Sequence, residues 1–174
     1  KGELERRGNQ VLYGDTDSVF IDAGLALDCN YEEAQQAGAS LCVQVDRALK
    51  NHLEERYGLE SRLELEFEKY YERFLLPPMR GSEKGRAKGY AGWLVDAQGG
   101  RLEIIGMEAV RRDWTALAQK LQRRLLELLF SNARVGEIEA CVSEWVRSLR
   151  AGERDDELVY HKSLRKPVSE YTRN

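Results

Sequence analysis

A chain of 174 residues has room for one substantial domain or for parts of two. With 33% charged and 42% hydrophobic residues it reads as a soluble globular protein, and no apolar run approaches the roughly 20 residues that a spanning helix needs. The net charge of −3 hides an uneven distribution. Acid concentrates between Glu54 and Glu72 and between Glu137 and Glu157; base gathers at Lys84, Arg86 and Lys88, at Arg111 and Arg112, and in the final stretch at Lys162, Arg165, Lys166 and Arg173. That asymmetry, more than the sum, bears on nucleic-acid binding. Cys29, Cys42 and Cys141 are far apart and lack metal-ligand spacing, so they read as free thiols in a reducing compartment, and two histidines form no zinc cluster.

In chain order, Lys1 to Asn9 is polar and reads as the end of a helix; a start without Met suggests a piece of a longer protein. Two short apolar runs, Val11 to Tyr13 and Val19 to Ile21, then flank a polar tetrad, which predicts a hairpin with carboxylates at its tip. If the chain stays extended through the tip, Asp15 and Asp17 share a face. Two adjacent carboxylates repel unless a proton or a cation relieves them, and hard oxygen ligands suit Mg²⁺ or Mn²⁺. A solvated turn is the plainer reading, because Asp and Gly are ordinary turn residues. A calcium loop starting at Asp15 is set aside, since Val19 and Phe20 stand where an oxygen ligand and a glycine are needed.

Asn30 followed by Glu33 predicts a capped helix ending at Gly58, with Ala34, Leu41, Val45, Leu49 and Leu53 on the face toward a sheet. From Arg62 to Lys69, Leu63, Leu65 and Phe67 alternate with Glu64, Glu66 and Glu68, which predicts a half-buried strand; Tyr70 to Leu76 predicts another, ending at Pro77-Pro78. The three glutamates form a solvated outer face or supply a further metal ligand, with Glu66 the candidate. Arg80 to Lys88 is glycine-rich and basic, and a second hairpin follows from Tyr90 to Ile105. Asp113 is placed to cap a helix carrying Leu117, Leu121, Leu125 and Leu128 on one stripe, widened by Leu126 and Leu129. A second helix, Val135 to Arg150, turns Ile138, Val142, Trp145 and Leu149 inward and stops at Gly152. Trp114 and Trp145 read as core.

Several of these stretches resemble one family. Tyr13-Gly14-Asp15-Thr16-Asp17-Ser18 resembles the palm-hairpin motif of family B DNA polymerases, in which the second aspartate, here Asp17, is a principal ligand of the catalytic metals and the first, here Asp15, has a lesser role. Ala87-Lys88-Gly89-Tyr90-Ala91-Gly92 partly matches that family's Lys-Lys-Arg-Tyr-Ala-Gly primer grip. Lys88 and Tyr90 carry over, while the first lysine and the arginine are absent, leaving a weaker grip or one compensated by Lys84 and Arg86. Gly106 to Trp114 and Glu157 to Tyr171 resemble the palm-to-thumb passage and the thumb of the bacterial DNA polymerase II group, with His161 where an arginine is usual.

The resemblance implies an α+β fold, an antiparallel palm sheet with a packed amphipathic helix followed by an all-helical thumb segment. Residues 1–110 would be the C-terminal part of the palm and residues 111–174 the N-terminal part of the thumb. It implies template-directed nucleotidyl transfer, with two Mg²⁺ or Mn²⁺ ions about 3.5 to 4 Å apart in the complete enzyme. Catalytic and metal-ligand roles fall to Asp15 and Asp17, and DNA contacts to Lys88, Tyr90, Arg111, Arg112, Lys162, Arg165 and Lys166. The implied partners are primer-template DNA, deoxynucleoside triphosphates and a sliding clamp, with no membrane, in a bacterial cytoplasm at the nucleoid. The family's other palm aspartate motif and its fingers motif do not occur in these residues, so the chain by itself is expected to be inactive. Two alternatives stay open, a non-catalytic nucleic-acid-binding module and another metal-dependent transferase built on Asp-x-Asp.

Overall fold

The computed structural model describes residues 4–5, 9–15, 17–26, 29–78, 88–167 and 170. Most of the expected leading helix, Thr16, Lys84 and Arg86 in the basic loop, and Arg173 lie outside the described residues. The fold is α+β with antiparallel sheets and three long helices, as expected. It divides into two compact units, residues 1–88 with 92–101, and residues 89–91 with 102–174.

In the first unit, strands β1 (Gln10–Asp15) and β2 (Ser18–Asp22) pair antiparallel with a bulge between Val11 and Tyr13. Asp15 faces Ser18 as the last pair. The ladder therefore ends at Asp15, and the strand alternation that would put Asp15 and Asp17 on one face stops short of Asp17. Tyr13 and Phe20 are cross-strand partners with ring centroids 5.7 Å apart. Phe20 also stacks on Phe74 at 5.1 Å and lies 6.1 Å from Tyr71, both on strand β3 (Tyr70–Leu75). Offset aromatic contacts of this kind tie the hairpin to the second sheet. In that sheet β3, β4 (Tyr90–Asp96) and β5 (Gly99–Ile105) lie in order. Gly92 lets the Tyr71 ring lie flat on β4, because a Cβ there would stand 2.3 Å from Tyr71 Cδ1.

Helix α1 (Tyr31–Tyr57) begins with the expected capping box. Asn30 Oδ1 accepts from the Glu33 amide at 3.0 Å, and Glu33 Oε2 accepts from the Asn30 amide at 3.1 Å. It ends at Gly58, whose φ of 64° is the left-handed stop that glycine adopts at no steric cost. Ala34 and Val45 are buried on the anticipated face, and Phe67 packs its ring directly onto Gly38.

Arg62 to Lys69 is not a strand. Its alternation is real, yet Leu63 and Leu65 are 58% and 40% exposed, and no described strand offers this backbone a ladder. Side-chain period alone cannot make a strand where no neighbouring strand pairs with the backbone. The segment lies along α1, anchored by Phe67, and becomes strand only where β3 meets β4.

In the second unit, a 3₁₀ turn at Glu108–Val110 leads into α2 (Ala116–Phe130), and α3 (Val135–Arg150) follows after Asn132, a left-handed residue at φ 59°. The cap of α2 is Thr115, whose Oγ1 accepts from the Ala118 amide at 3.3 Å, rather than Asp113. Asp113 bonds a guanidinium instead, through both carboxylate oxygens, a two-point contact in place of the single amide bond of a cap. Leu126 and Phe130 are the most buried residues of α2, with Met107, Ala109 and Ile104 completing the core. Leu117, Leu121, Leu125 and Leu128 of the anticipated stripe are half-buried and Leu126 is buried, whereas Leu129 is exposed. Trp114 is 41% exposed and not core. Val142 is also partly exposed, while Trp145 lies under Arg154, whose Cζ sits 3.8 Å above the ring. Glu157 closes the unit by accepting from Lys120 Nζ at 2.7 Å and Arg154 Nη1 at 3.4 Å.

Candidate active-site hairpin and nucleic-acid interface

The tip of the first hairpin carries the two aspartates. Asp15 closes β1, and Asp17 stands in the turn, exposed to solvent. Two carboxylates on so short a reversal are the donor type that hard divalent cations accept. Among the described residues, no three His, Cys, Asp or Glu side chains converge as a metal-binding group. Glu66 is exposed on the extended segment and lines a shallow groove against α1 with Cys42, Val43, Asp46, Lys50 and Glu64. In that groove Asp46 pairs with Lys50 at 2.7 Å, and burial together with Asp46 pushes the Cys42 thiol pKa up.

Two residues before Asp15, the Tyr13 hydroxyl accepts a hydrogen bond from the Lys88 backbone amide at 2.9 Å. Lys88 is exposed and left-handed at φ 60°, and half-buried Tyr90 opens β4. The hairpin and the start of the grip-like segment are thus joined within the first unit. Nothing in the local sequence announces this bond.

The second unit brings other expected contacts to one corner. Arg111 donates to both oxygens of Asp113, Nε to Oδ1 at 2.9 Å and Nη2 to Oδ2 at 2.6 Å. The Arg111 bond holds the Asp113 carboxyl below the usual carboxylate range, and Lys162 adds to the effect. Tyr160 is near enough to act on the Arg111 charge. Lys162 and Tyr160 thus act on the 111–113 turn through charge. Arg112 is exposed there, with no hydrogen-bond or ion-pair partner among the described residues. Arg165 and Lys166 are exposed on the irregular segment beyond, Lys166 lying 4.0 Å from Glu170.

Two glutamines on α2 support this corner. Gln119 Nε2 donates to the carbonyls of Arg111 (2.6 Å) and Trp114 (3.1 Å). Gln122 accepts from the Ala109 amide at 2.5 Å and donates to Glu108 Oε2 at 2.9 Å. Sequence reasoning missed both. The available signal was two amides spaced i,i+3 on a helix otherwise rich in leucine on that side.

A sequence model described as DNA polymerase family B matches residues 3–174. The chain belongs to the family B DNA polymerases. It is 41% identical over its whole length to DNA polymerase II of Escherichia coli, covering 22% of that protein. It is 31% identical over 171 residues to DNA polymerase 2 of Aeropyrum pernix, covering 98% of this chain and 17% of that one. Over 122 residues it is 34% identical to the DNA polymerase zeta catalytic subunit of Schizosaccharomyces pombe, covering 70% of this chain and 7% of that one. Among solved structures, the family B DNA polymerase of Pyrobaculum calidifontis matches 99% of this chain and 18% of its own, with 29% identity and a TM-score of 0.48. The chain thus spans about a fifth of the length of the curated relatives it matches most fully. No described helix is long and apolar enough to cross a membrane.

Proposed function

We propose that this chain is the C-terminal part of the palm, residues 1–110, and the beginning of the thumb, residues 111–174, of a template-directed DNA polymerase. The observation that carries the reading is a family B hairpin whose Tyr13 is bonded to the Lys88 amide, so that the acidic hairpin and Lys88 belong to one folded piece. Asp17, with Asp15 beside it in sequence, contributes to holding divalent cations, Mg²⁺ or Mn²⁺, with Glu66 a further candidate. When bound, two such ions supply charge neutralisation at the transferring phosphoryl group. Lys88, Arg112, Lys162, Arg165 and Lys166 hold the phosphate backbone of a primer-template duplex, and Tyr90 lies along the primer strand. In the whole enzyme deoxynucleoside triphosphates are the substrates, with a sliding clamp as an accessory partner. This chain alone performs no nucleotide transfer.

The test is fluorescence anisotropy of a labelled primer-template duplex across a range of salt concentrations, beside Mn²⁺ titration of the same protein. The expected result is binding whose logarithm falls by about 0.9 per log unit of salt for every phosphate contact. Asp17→Ala should lose Mn²⁺ affinity and keep most duplex binding. Mn²⁺ affinity unchanged in Asp17→Ala would favour a non-catalytic nucleic-acid-binding module. Primer extension by the purified wild-type chain that disappears in Asp17→Ala would overturn its inactivity alone.

A further inference from the structure

Arg111 and Arg112 are adjacent and both exposed, and by charge alone both are phosphate contacts. Their surroundings separate them. The Arg111 guanidinium is engaged through two parallel bonds to Asp113, the fork-to-carboxylate geometry that guanidinium also adopts on a phosphate. Its backbone is fixed as well. The Arg111 amide donates to the Glu108 carbonyl at 3.1 Å, and its carbonyl accepts from Gln119 at 2.6 Å. The neighbouring turn is held by the Gln122 bonds to Ala109 and Glu108. A phosphate would have to displace a carboxylate already seated on a fixed backbone. Among the described residues Arg112 has no such competitor, and Lys162 is within electrostatic reach of Asp113.

We infer that Asp113 acts as an internal phosphate surrogate that keeps Arg111 out of DNA contact, making Arg111 a positioning residue that presents Arg112 and Lys162 to the duplex backbone. The inference rests on the DNA-binding reading above. Asp113 thereby limits the number of phosphates this corner neutralises, and Gln119 sets the direction in which Arg112 leaves the chain.

The test is the salt slope of duplex binding by the full chain and its variants, with melting temperature recorded for each. The charge-neutral double variant R111Q/D113N should bind more weakly than wild type at a given salt yet keep the wild-type slope. R112Q and K162Q should each lower the slope by about 0.9. D113N alone releases the guanidinium and should raise the slope by about 0.9. A double variant that loses as much slope as R112Q, or a folded D113N protein with the wild-type slope, would overturn the inference while leaving the DNA-binding reading intact. A folded wild-type chain without salt-dependent duplex binding would overturn that reading and this inference with it.

Discussion

The hydroxyl of Tyr13 and the backbone amide of Lys88, 75 positions apart in sequence, are joined by a 2.9 Å hydrogen bond. Through it a residue of the aspartate hairpin steadies a lysine in the left-handed region, a conformation that costs a non-glycine residue roughly 1–2 kcal/mol. Tyr13→Phe keeps the ring contact with Phe20 and removes only the acceptor. It should destabilise the first unit by about 0.5–1 kcal/mol, at the low end because the bond is exposed. Hydrogen exchange at the Lys88 amide should accelerate. Unchanged protection at that amide would mean the bond does not persist in solution.

Substitutions of Lys88 itself separate charge from backbone. Asparagine tolerates the left-handed region, so Lys88→Asn should leave the melting temperature nearly unchanged and lower the salt slope of duplex binding by about 0.9. Lys88→Val removes the same charge and adds a β-branched side chain at φ 60°, so it should cost on the order of 1–2 kcal/mol of stability as well. Equal melting temperatures for the two variants would show that the left-handed backbone at Lys88 relaxes in solution.

Two helical glycines make a matched pair. At Gly38 in α1 a Cβ would lie 2.1 Å from Phe67 Cδ2, whereas at Gly136 in α3 nothing stands within 4 Å. Alanine is favoured over glycine in a helix by about 1 kcal/mol, while overpacking costs about 1–3 kcal/mol. Gly136→Ala should therefore stabilise and Gly38→Ala destabilise, as read from chemical denaturation. Stabilisation by both would mean that Phe67 moves aside freely.

Acid sensitivity should centre on ion pairs of the second unit. The Lys120 bond holds the Glu157 carboxyl below its ordinary range, and the Arg111 bond does the same for Asp113. A carboxyl depressed in the folded state stabilises it above the unfolded value, near pH 4, and that contribution disappears as pH falls through the lower folded value. Glu157→Gln should lessen the loss of melting temperature between pH 5 and about pH 3, where the wild-type carboxylate would be protonated. An identical pH profile in the variant would show that the Lys120 pair is not maintained in solution.

Local chemistry was legible wherever the cause is local. Asn30 with Glu33 and the glycine at position 58 define α1 to the residue, since caps depend on groups only a few positions away. The hairpin around Asp15 and Asp17 and the span Val135–Arg150 follow for the same reason. Where a partner distant in sequence decides, pattern misled. Leu63, Leu65 and Phe67 alternate as a strand does, but among the described residues no neighbouring strand takes up the backbone bonds, and the segment is irregular. Asp113 has the composition of a cap, but Arg111 competes for it and wins by charge, leaving Thr115 to cap α2.

Sequence by itself thus determined the family, the carboxylate-bearing hairpin and the presence of basic segments, because each is written in contiguous residues. Only the tertiary structure decided that the Tyr13 hydroxyl meets the Lys88 amide and that Arg112 differs from Arg111. Those outcomes depend on which hydrogen-bond and charge partners the folded chain brings within about 3 Å, a competition that composition and period do not encode.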